Sequence, residues 1–403
     1  MAVNQSIDPA AETARYLATL PPEVHDKATA YTQGGHWLLL WGLVASVAVA
    51  WLIIRSGVLV RIRSGVEKTR PRPLLASLAV LPVALLAEAL LGLPWSAYSG
   101  WFREKSYGMT DQPFGDWLGE AALGGAIGLV ATTLLMLAVY ALIRRSPKRW
   151  WLWASGVTAS FMVVAMLLAP IYILPLFNTY TPAPDGPVRD SIVAMARANG
   201  VPSDKIYVYD GSKQSNRYTA NVTGLFGSAQ VNMSDTMFRA GADLAEVRAV
   251  VGHEMGHYAR QHILWFVGVF AVLLVAGFWL LDRLFPAACR LLGARDVKGL
   301  ADPAGYPVFS LLLSVLFLLA TPVTNSLTRI TETDADNFSL QAANEPDGLA
   351  RALVKTVEYR AATPGRLEEI LFYDHPSVSR RIENAMRWKA SHAPAATGPA
   401  KGN

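Results

Sequence analysis

The stretch VGHEMGHYARQHILWFVGVFAVLLVAGFWLL, residues 251–281, sets two signals end to end. Its first part carries two histidines four apart, His253 and His257, with Glu254 directly after the first. Its second part runs from Ile263 to Leu281 without a charged residue. Roughly 20 such residues are what a helix needs to cross a bilayer. A metal-binding pattern therefore stands at the mouth of a membrane helix.

Composition agrees with the second signal. Of 403 residues, 52% are hydrophobic and 17% charged, a balance too apolar for an ordinary soluble chain and suited to a polytopic membrane protein. Six segments are long and apolar enough to span: 36–54, 73–98, 119–143, 149–176, 263–281 and 307–328. Pro82, Pro94 and Pro322 fall inside them, as kinks that membrane helices tolerate. Trp95, Trp101, Trp117, Trp150, Trp151 and Trp153 lie near segment ends, where an aromatic belt belongs. Cys289 is the one cysteine, which rules out an intrachain disulfide and a cysteine-based zinc site. The first 35 residues are polar and show no signal-peptide core.

The net charge of +5 comes from basic residues gathered in alternate links. Arg55, Arg61, Arg63, Lys68, Arg70 and Arg72 separate the first two segments; Arg144, Arg145, Lys148 and Arg149 join the third to the fourth; Arg283, Arg290, Arg295 and Lys298 join the fifth to the sixth. This is membrane topology, with the lipid bilayer as partner and no nucleic acid. The positive-inside rule places these links in the cytoplasm and the block 177–262 on the other side.

The chain divides into a polar N-terminal segment (1–35), four spanning helices (36–176), a block with the histidine pair (177–262), two more spans (263–328), a helical block (329–390) and a small, polar tail (391–403) expected to be disordered. In 177–262, VRDSIVAMARANG has helical spacing and a glycine stop, while KIYVYDG and SAQVNMSD read as strands. Asp243 has the character of an N-cap, with Glu246 completing a capping box. The helix it starts is expected to run through 251–261 and can pass into the fifth span. In the second block, EPDGLARALVKTVEYRAA begins a new helix at Pro346, which ends the preceding one.

On a helix, residues i and i+4 share a face, so His253 and His257 can offer two imidazoles to one metal. This is the H-E-x-x-H arrangement of zinc peptidases. Zinc lowers the pKa of its bound water to ~7, and Glu254 can take the water's proton and pass it to the leaving amine. A catalytic zinc wants three protein ligands and an open position. In SLTRITETDADNFSLQ (326–341), Glu332 and Asp336 lie one turn apart on one face. Glu332 can be the third ligand and Asp336 an acceptor that orients a ligating imidazole; an acidic, solvated helix end is the plain alternative. Asp334 points elsewhere. His262, on another face, is expected at the membrane interface and not as a ligand. Asp282 and Arg283 read as a helix-end pair. Glu88 and Glu120 lie in or near apolar segments, where ionisable groups are often functional; Glu88 can line a chamber or pair with a polar partner.

The set HEMGHYARQH, then ETDAD after one further span, then HPSVSRR, resembles the M48 zinc peptidases, and within them the Ste24 / CAAX prenyl protease 1 group. GLPWSAY, APIYILPLFNTYTPAP and VYDGSKQSN are similar to that group's connecting segments in the same order, and the likeness covers roughly residues 25–390. It implies one zinc ion per chain on His253, His257 and Glu332, Glu254 as general base and Asp336 as the acidic partner. It places His375 and Arg381 on a pair that contacts the substrate backbone or the developing oxyanion; without it, they read as a turn residue and an exposed helix charge. It also implies spanning helices around an intramembrane chamber and a cytosol-facing active site, opposite to what the charge pattern gives. Where the group often has an Asn-Ala pair before Thr-Gly, this chain reads SNRYTANVTG (215–224), leaving Asn216, Asn221 or neither for that role. The group's eukaryotic members carry seven spans, against six here.

The fold expected is mainly α: a polytopic membrane protein with a small α+β peptidase domain, in which SAQVNMSD offers its edge to an extended peptide. The expected activity is an integral-membrane zinc endopeptidase acting near the C-terminus of lipidated or membrane-associated substrates, or in membrane-protein quality control. The alanine-rich, cysteine-poor composition points to a bacterial inner membrane. A zinc-stabilised scaffold or transporter without catalysis is the competing reading, and a soluble peptidase with buried apolar helices a third.

Overall fold

The structure, a computed structural model, describes residues 7–202, 205–224, 229–239, 241 and 243–392. The expected disordered tail falls outside them save for residues 391 and 392. The chain forms two compact units. One is made of 35–177 and 264–321, the other of 1–34, 178–263 and 322–403.

The first unit is helical. Among the described residues six helices are long and apolar enough to cross a membrane: Pro22–Ser56, Pro73–Ser106, Phe114–Arg145, Trp150–Leu176, His262–Leu291 and Pro303–Ala343. They match the six segments read from the sequence, the fourth starting one residue later at Trp150. Much of their surface is greasy, as a lipid-facing surface must be: Trp41, Leu90, Leu134 and Val272 are all exposed. The unit's core gathers Trp150, Tyr140, Phe278, Phe285 and Phe309. Trp150 is thus fully buried and not part of an aromatic belt. Its indole Nε1 donates to Asp282 at 2.8 Å, so Asp282 does not pair with Arg283, whose guanidinium sits over the Trp279 ring. Polar groups in low dielectric need partners, and Glu88 and Arg63 have them. Glu88 accepts from Ser310 Oγ at 2.6 Å, and the buried Arg63 pairs with the buried Asp302.

The second unit is α+β. Among the described residues its sheet has four strands, β1 (Tyr180–Pro182), β2 (Ile206–Tyr209), β3 (Ala220–Thr223) and β4 (Gln230–Ser234). The order is β1-β2-β4-β3. β4 runs parallel to β2 and antiparallel to β3. The strand expected to offer an edge to a peptide is therefore interior; β1 and β3 are the edges. Crossover order is invisible in strand propensity, which explains the miss. Val231 and Met233 of β4 are fully buried against Ile192, Met195, Val247, Val251 and Met255, which fixes the sheet on the helices Pro187–Ala198 and Leu244–Ala259.

Asp243 caps the Leu244–Ala259 helix, its carboxylate accepting from the Ala245 and Glu246 amides at 2.9 and 3.3 Å. Among the described residues Glu246 does not return the reciprocal half of a capping box; it is buried and turns to Lys355 and Arg351 instead. This helix does not run into the fifth span. It stops at Ala259, Gln261 takes a left-handed φ of 54°, and a new helix starts at His262. The last spanning helix, Tyr306–Ala343, does continue unbroken into the second unit, and Asn344 with φ of 51° ends it ahead of Pro346.

Candidate metal centre

Two helices build the site by approaching unusually closely. The Leu244–Ala259 helix turns Gly252 and Gly256 toward the end of the Tyr306–Ala343 helix. A Cβ on Gly256 would lie 3.1 Å from the Ala335 Cα and 3.1 Å from the Phe338 Cβ; one on Gly252 would lie 3.1 Å from Ser339 Oγ. Ser339 Oγ donates to the Ala249 carbonyl at 2.6 Å. The spacing G-H-E-M-G-H thus places glycines where backbones meet and histidines one residue further on.

His253, His257 and Glu332 converge there as a group able to hold a metal ion. His253 Nε2 lies 3.1 Å from His257 Nε2. Glu332 brings one oxygen within 3.2 Å of His253 Nε2 and the other within 3.2 Å of His257 Nε2. Donors ~2.0–2.1 Å from a tetrahedral ion sit ~3.3 Å apart, so these separations fit one ion. Glu332 Oε2 is buried without a hydrogen-bond partner, as an atom directed at a cation would be.

The proton positions support the same conclusion. His253 Nδ1 faces Asp336 Oδ1 at 2.8 Å, and a carboxylate accepts, so Nδ1 carries a proton and Nε2 is the nitrogen left to bind an ion. Burial opposes charge on His253, but Glu332 and Asp336 outweigh it and push the imidazole up to about 10. The pocket is built to hold positive charge. Asp336 is itself gripped by Arg381, whose Nε and Nη2 donate to its two oxygens at 2.7 Å each. Arg381 is buried, not an exposed helix charge, and its fork is committed to Asp336, with Glu332 Oε2 3.6 Å away. His375 Nε2 comes within 3.3 Å of Glu332 Oε2, while its Nδ1 meets Asp374 at 2.8 Å. Burial lowers its pKa, with Asp374 opposing, and its Nδ1 carries the proton that Asp374 accepts.

Glu254 behaves unlike the other carboxylates. It is half-buried and makes no hydrogen bond or salt bridge to a described residue. Burial raises its pKa against the pull of His253 and His257. A proton acceptor with raised affinity and no hydrogen-bond partner among the described residues is suited to work on a water.

Asn216 and Asn221 each accept a hydrogen bond from another side chain. Asn216 accepts from Arg239 at 2.8 Å, and Asn221, on the edge strand β3, accepts from Asn232 at 2.9 Å. Two residues escaped the sequence reading. His262 is buried, not interfacial, with its Nδ1 2.9 Å from His257 Nδ1. Asp334 lies 3.1 Å from His262 Nε2. Their signal is hidden, because only the break at Gln261 aims His262 back at His257.

Comparison with known proteins agrees with this geometry. A family model described as Peptidase family M48 matches residues 182–389, just over half the chain. A second, described as CAAX prenyl protease N-terminal, five membrane helices, matches 8–179; four of the spanning helices lie in that range. The chain is 29% identical over 367 residues to the uncharacterized metalloprotease YhfN of Bacillus subtilis, covering 89% of this chain and 84% of that one. It is 26% identical over 329 residues to CAAX prenyl protease 1 of Saccharomyces cerevisiae, covering 76% and 71%. The crystal structure of S. mikatae Ste24p superposes with a TM-score of 0.73 over 94% of this chain and 95% of that one, at 23% identity, a shared fold. A scaffold without catalysis is not favoured. With a family model matched over more than half of its length, the chain belongs to peptidase family M48, as a membrane metalloprotease.

Proposed function

We propose that the ion is zinc, one per chain, held by His253, His257 and Glu332, and that the protein cleaves peptide bonds near the C-terminus of lipidated or membrane-associated substrates. Likeness to CAAX prenyl protease 1 over three quarters of the chain supports the substrate class. Membrane-protein quality control uses the same chemistry and is the second variant. The setting proposed is a bacterial inner membrane, with the spanning helices around a chamber.

The observation that carries the chemistry is the contrast between Glu254, without a hydrogen-bond or ion-pair partner among the described residues, and Glu332 and Asp336, which face the histidines. When bound, the ion acidifies a water and polarises the scissile carbonyl. Glu254 takes one proton from the water, whose oxygen bonds to the carbonyl carbon. The C–N bond then breaks, and Glu254 returns the proton to the departing amine. Asp336 holds the proton on His253 Nδ1, and Arg381 holds Asp336. His375, its Nδ1–H held by Asp374 and its Nε2 beside Glu332, donates Nε2–H toward charge developing on the carbonyl oxygen when the ring is protonated.

The test pairs metal analysis with cleavage of a farnesylated CAAX peptide. The wild type is expected to carry about one zinc per chain and to cut. Glu254→Gln is expected to keep the zinc and lose ~10²–10⁴-fold in rate. A purified protein without divalent metal, or a Glu254→Gln variant that cleaves normally, refutes the assignment. Cleavage of unprenylated membrane proteins with no preference for the farnesyl group favours quality control.

A further inference from the structure

We propose that His262 and Asp334 are positioning residues for the metal centre, forming a two-member chain that fixes the tautomer and ring angle of His257. The inference rests on His257 being a ligand.

The proton accounting allows one arrangement. His257 Nε2 is the nitrogen that faces His253 and Glu332. To offer its lone pair there, the neutral ring must carry its proton on Nδ1. That N–H points at His262 Nδ1, 2.9 Å away, which must accept. The proton of neutral His262 is then on Nε2, and that N–H donates to Asp334 Oδ2 at 3.1 Å. Each link fixes the next, and reversing any one leaves two N–H groups or two lone pairs facing each other.

The two ligand histidines are thus supported in parallel. His253 rests directly on a carboxylate, Asp336. His257 reaches its carboxylate through an interposed imidazole. The outer ends differ. Asp336 is buried and clamped by Arg381. Asp334 is half-exposed, with Arg260 Nε at 3.7 Å. The two rings meet at a steep angle, 73° between planes with centroids 5.0 Å apart, which is the geometry of an in-plane hydrogen bond and not of stacking.

The backbone is arranged for this contact. In an unbroken helix His262 would point ~140° around the axis from His257. Arg260 and Gln261 instead close the Leu244–Ala259 helix through amide bonds to the Gly256 and Tyr258 carbonyls, at 2.9 and 3.0 Å. Gln261 then adopts φ of 54°. A left-handed non-glycine residue costs on the order of 1 kcal/mol, and it persists where surrounding structure over-determines it. The ring of His262, buried to 4% exposure, is what that turn delivers.

The test measures metal affinity by chelator competition and the visible spectrum of the cobalt-substituted protein, with unfolding of the metal-free protein as control. His262→Phe keeps an aromatic ring but accepts no hydrogen bond. It is expected to weaken metal binding ~10–100-fold, as loss of a ligand's outer partner does, and to alter the cobalt spectrum. His262→Asn, whose side-chain oxygen can take the place of Nδ1, is expected to recover most of the affinity. Asp334→Asn is expected to fall between. Wild-type affinity in His262→Phe overturns the proposal. So does equal loss in His262→Phe and His262→Asn together with loss of metal-free stability, which marks a packing role. A His257→Ala control separates the two levels: if it keeps full metal affinity, the ligand assignment itself fails; if it loses metal while His262→Phe does not, only this proposal fails.

Discussion

Arg381→Ala tests whether the Arg381–Asp336–His253 chain is held together by a charge that cannot be spared. Arg381 is 8% exposed and Asp336 1%. The guanidinium makes two bonds of 2.7 Å to the carboxylate. Removing it leaves Asp336 buried with His253 Nδ1 as its remaining partner among the described residues. Removing one partner of a buried pair costs ~3–5 kcal/mol, because the other charge is left uncompensated. The same change frees Asp336 to swing, and loss of such an outer support costs ~10–100-fold in metal affinity. Arg381→Lys keeps the charge but not the planar fork, so it should recover part of the stability and little of the orientation. Adding Asp336→Asn to Arg381→Ala removes the stranded charge, so the double variant should be less destabilised than the sum of the singles by ~0.5–3 kcal/mol. Chemical unfolding in detergent micelles reads the stability and chelator competition the metal. An Arg381→Ala protein within ~0.5 kcal/mol of wild type, the range of an ordinary surface change, with unaltered metal affinity, would refute the reasoning.

Other changes probe the remaining parts. Gly256→Ala places a methyl 3.1 Å from the Ala335 Cα; overpacking of this kind costs ~1–3 kcal/mol and should lower metal affinity by pushing back the helix that carries Glu332, with chelator titration as the check. Metal removal should lower the unfolding temperature of the peptidase unit, since an ion at ~100-fold above its dissociation constant stabilises by ~2.7 kcal/mol; calorimetry with and without EDTA measures it. For pH, burial raises the Glu254 pKa, so the folded chain holds that proton more tightly than the unfolded chain. Ionising Glu254 then costs stability as pH climbs from the ordinary carboxyl value through the raised one. In metal-free protein the stability advantage of Glu254→Gln over wild type should grow across that window and stay flat below it, and a pH-independent advantage in unfolding curves contradicts the burial argument.

What the sequence disclosed follows from the range of the forces involved. The spans are legible because a bilayer demands long unbroken apolar runs. The pairs His253/His257 and Glu332/Asp336 are legible because helical spacing of four places both members on one face. Contacts set by tertiary order were not legible. β4 carries good strand residues, yet nothing in them says that β2 and β3 flank it on both sides. Asp282 has an arginine next to it in sequence, but burial of Trp150 creates the stronger demand for an indole acceptor.

The break after Ala259 shows most plainly where local reading ends. ARQH contains neither glycine nor proline, the residues that usually mark such a stop. Gln261 pays a conformational cost that no neighbour in sequence repays, so the compensation has to be tertiary. The contacts beyond the break supply it: His262 meets His257 on one side and Asp334 on the other. If that is the compensation, His262→Phe should free residue 261 from its left-handed conformation, and amide exchange at Gln261 and His262 should rise in the variant. Unchanged protection there would mean that the turn is held by something other than the histidine pair.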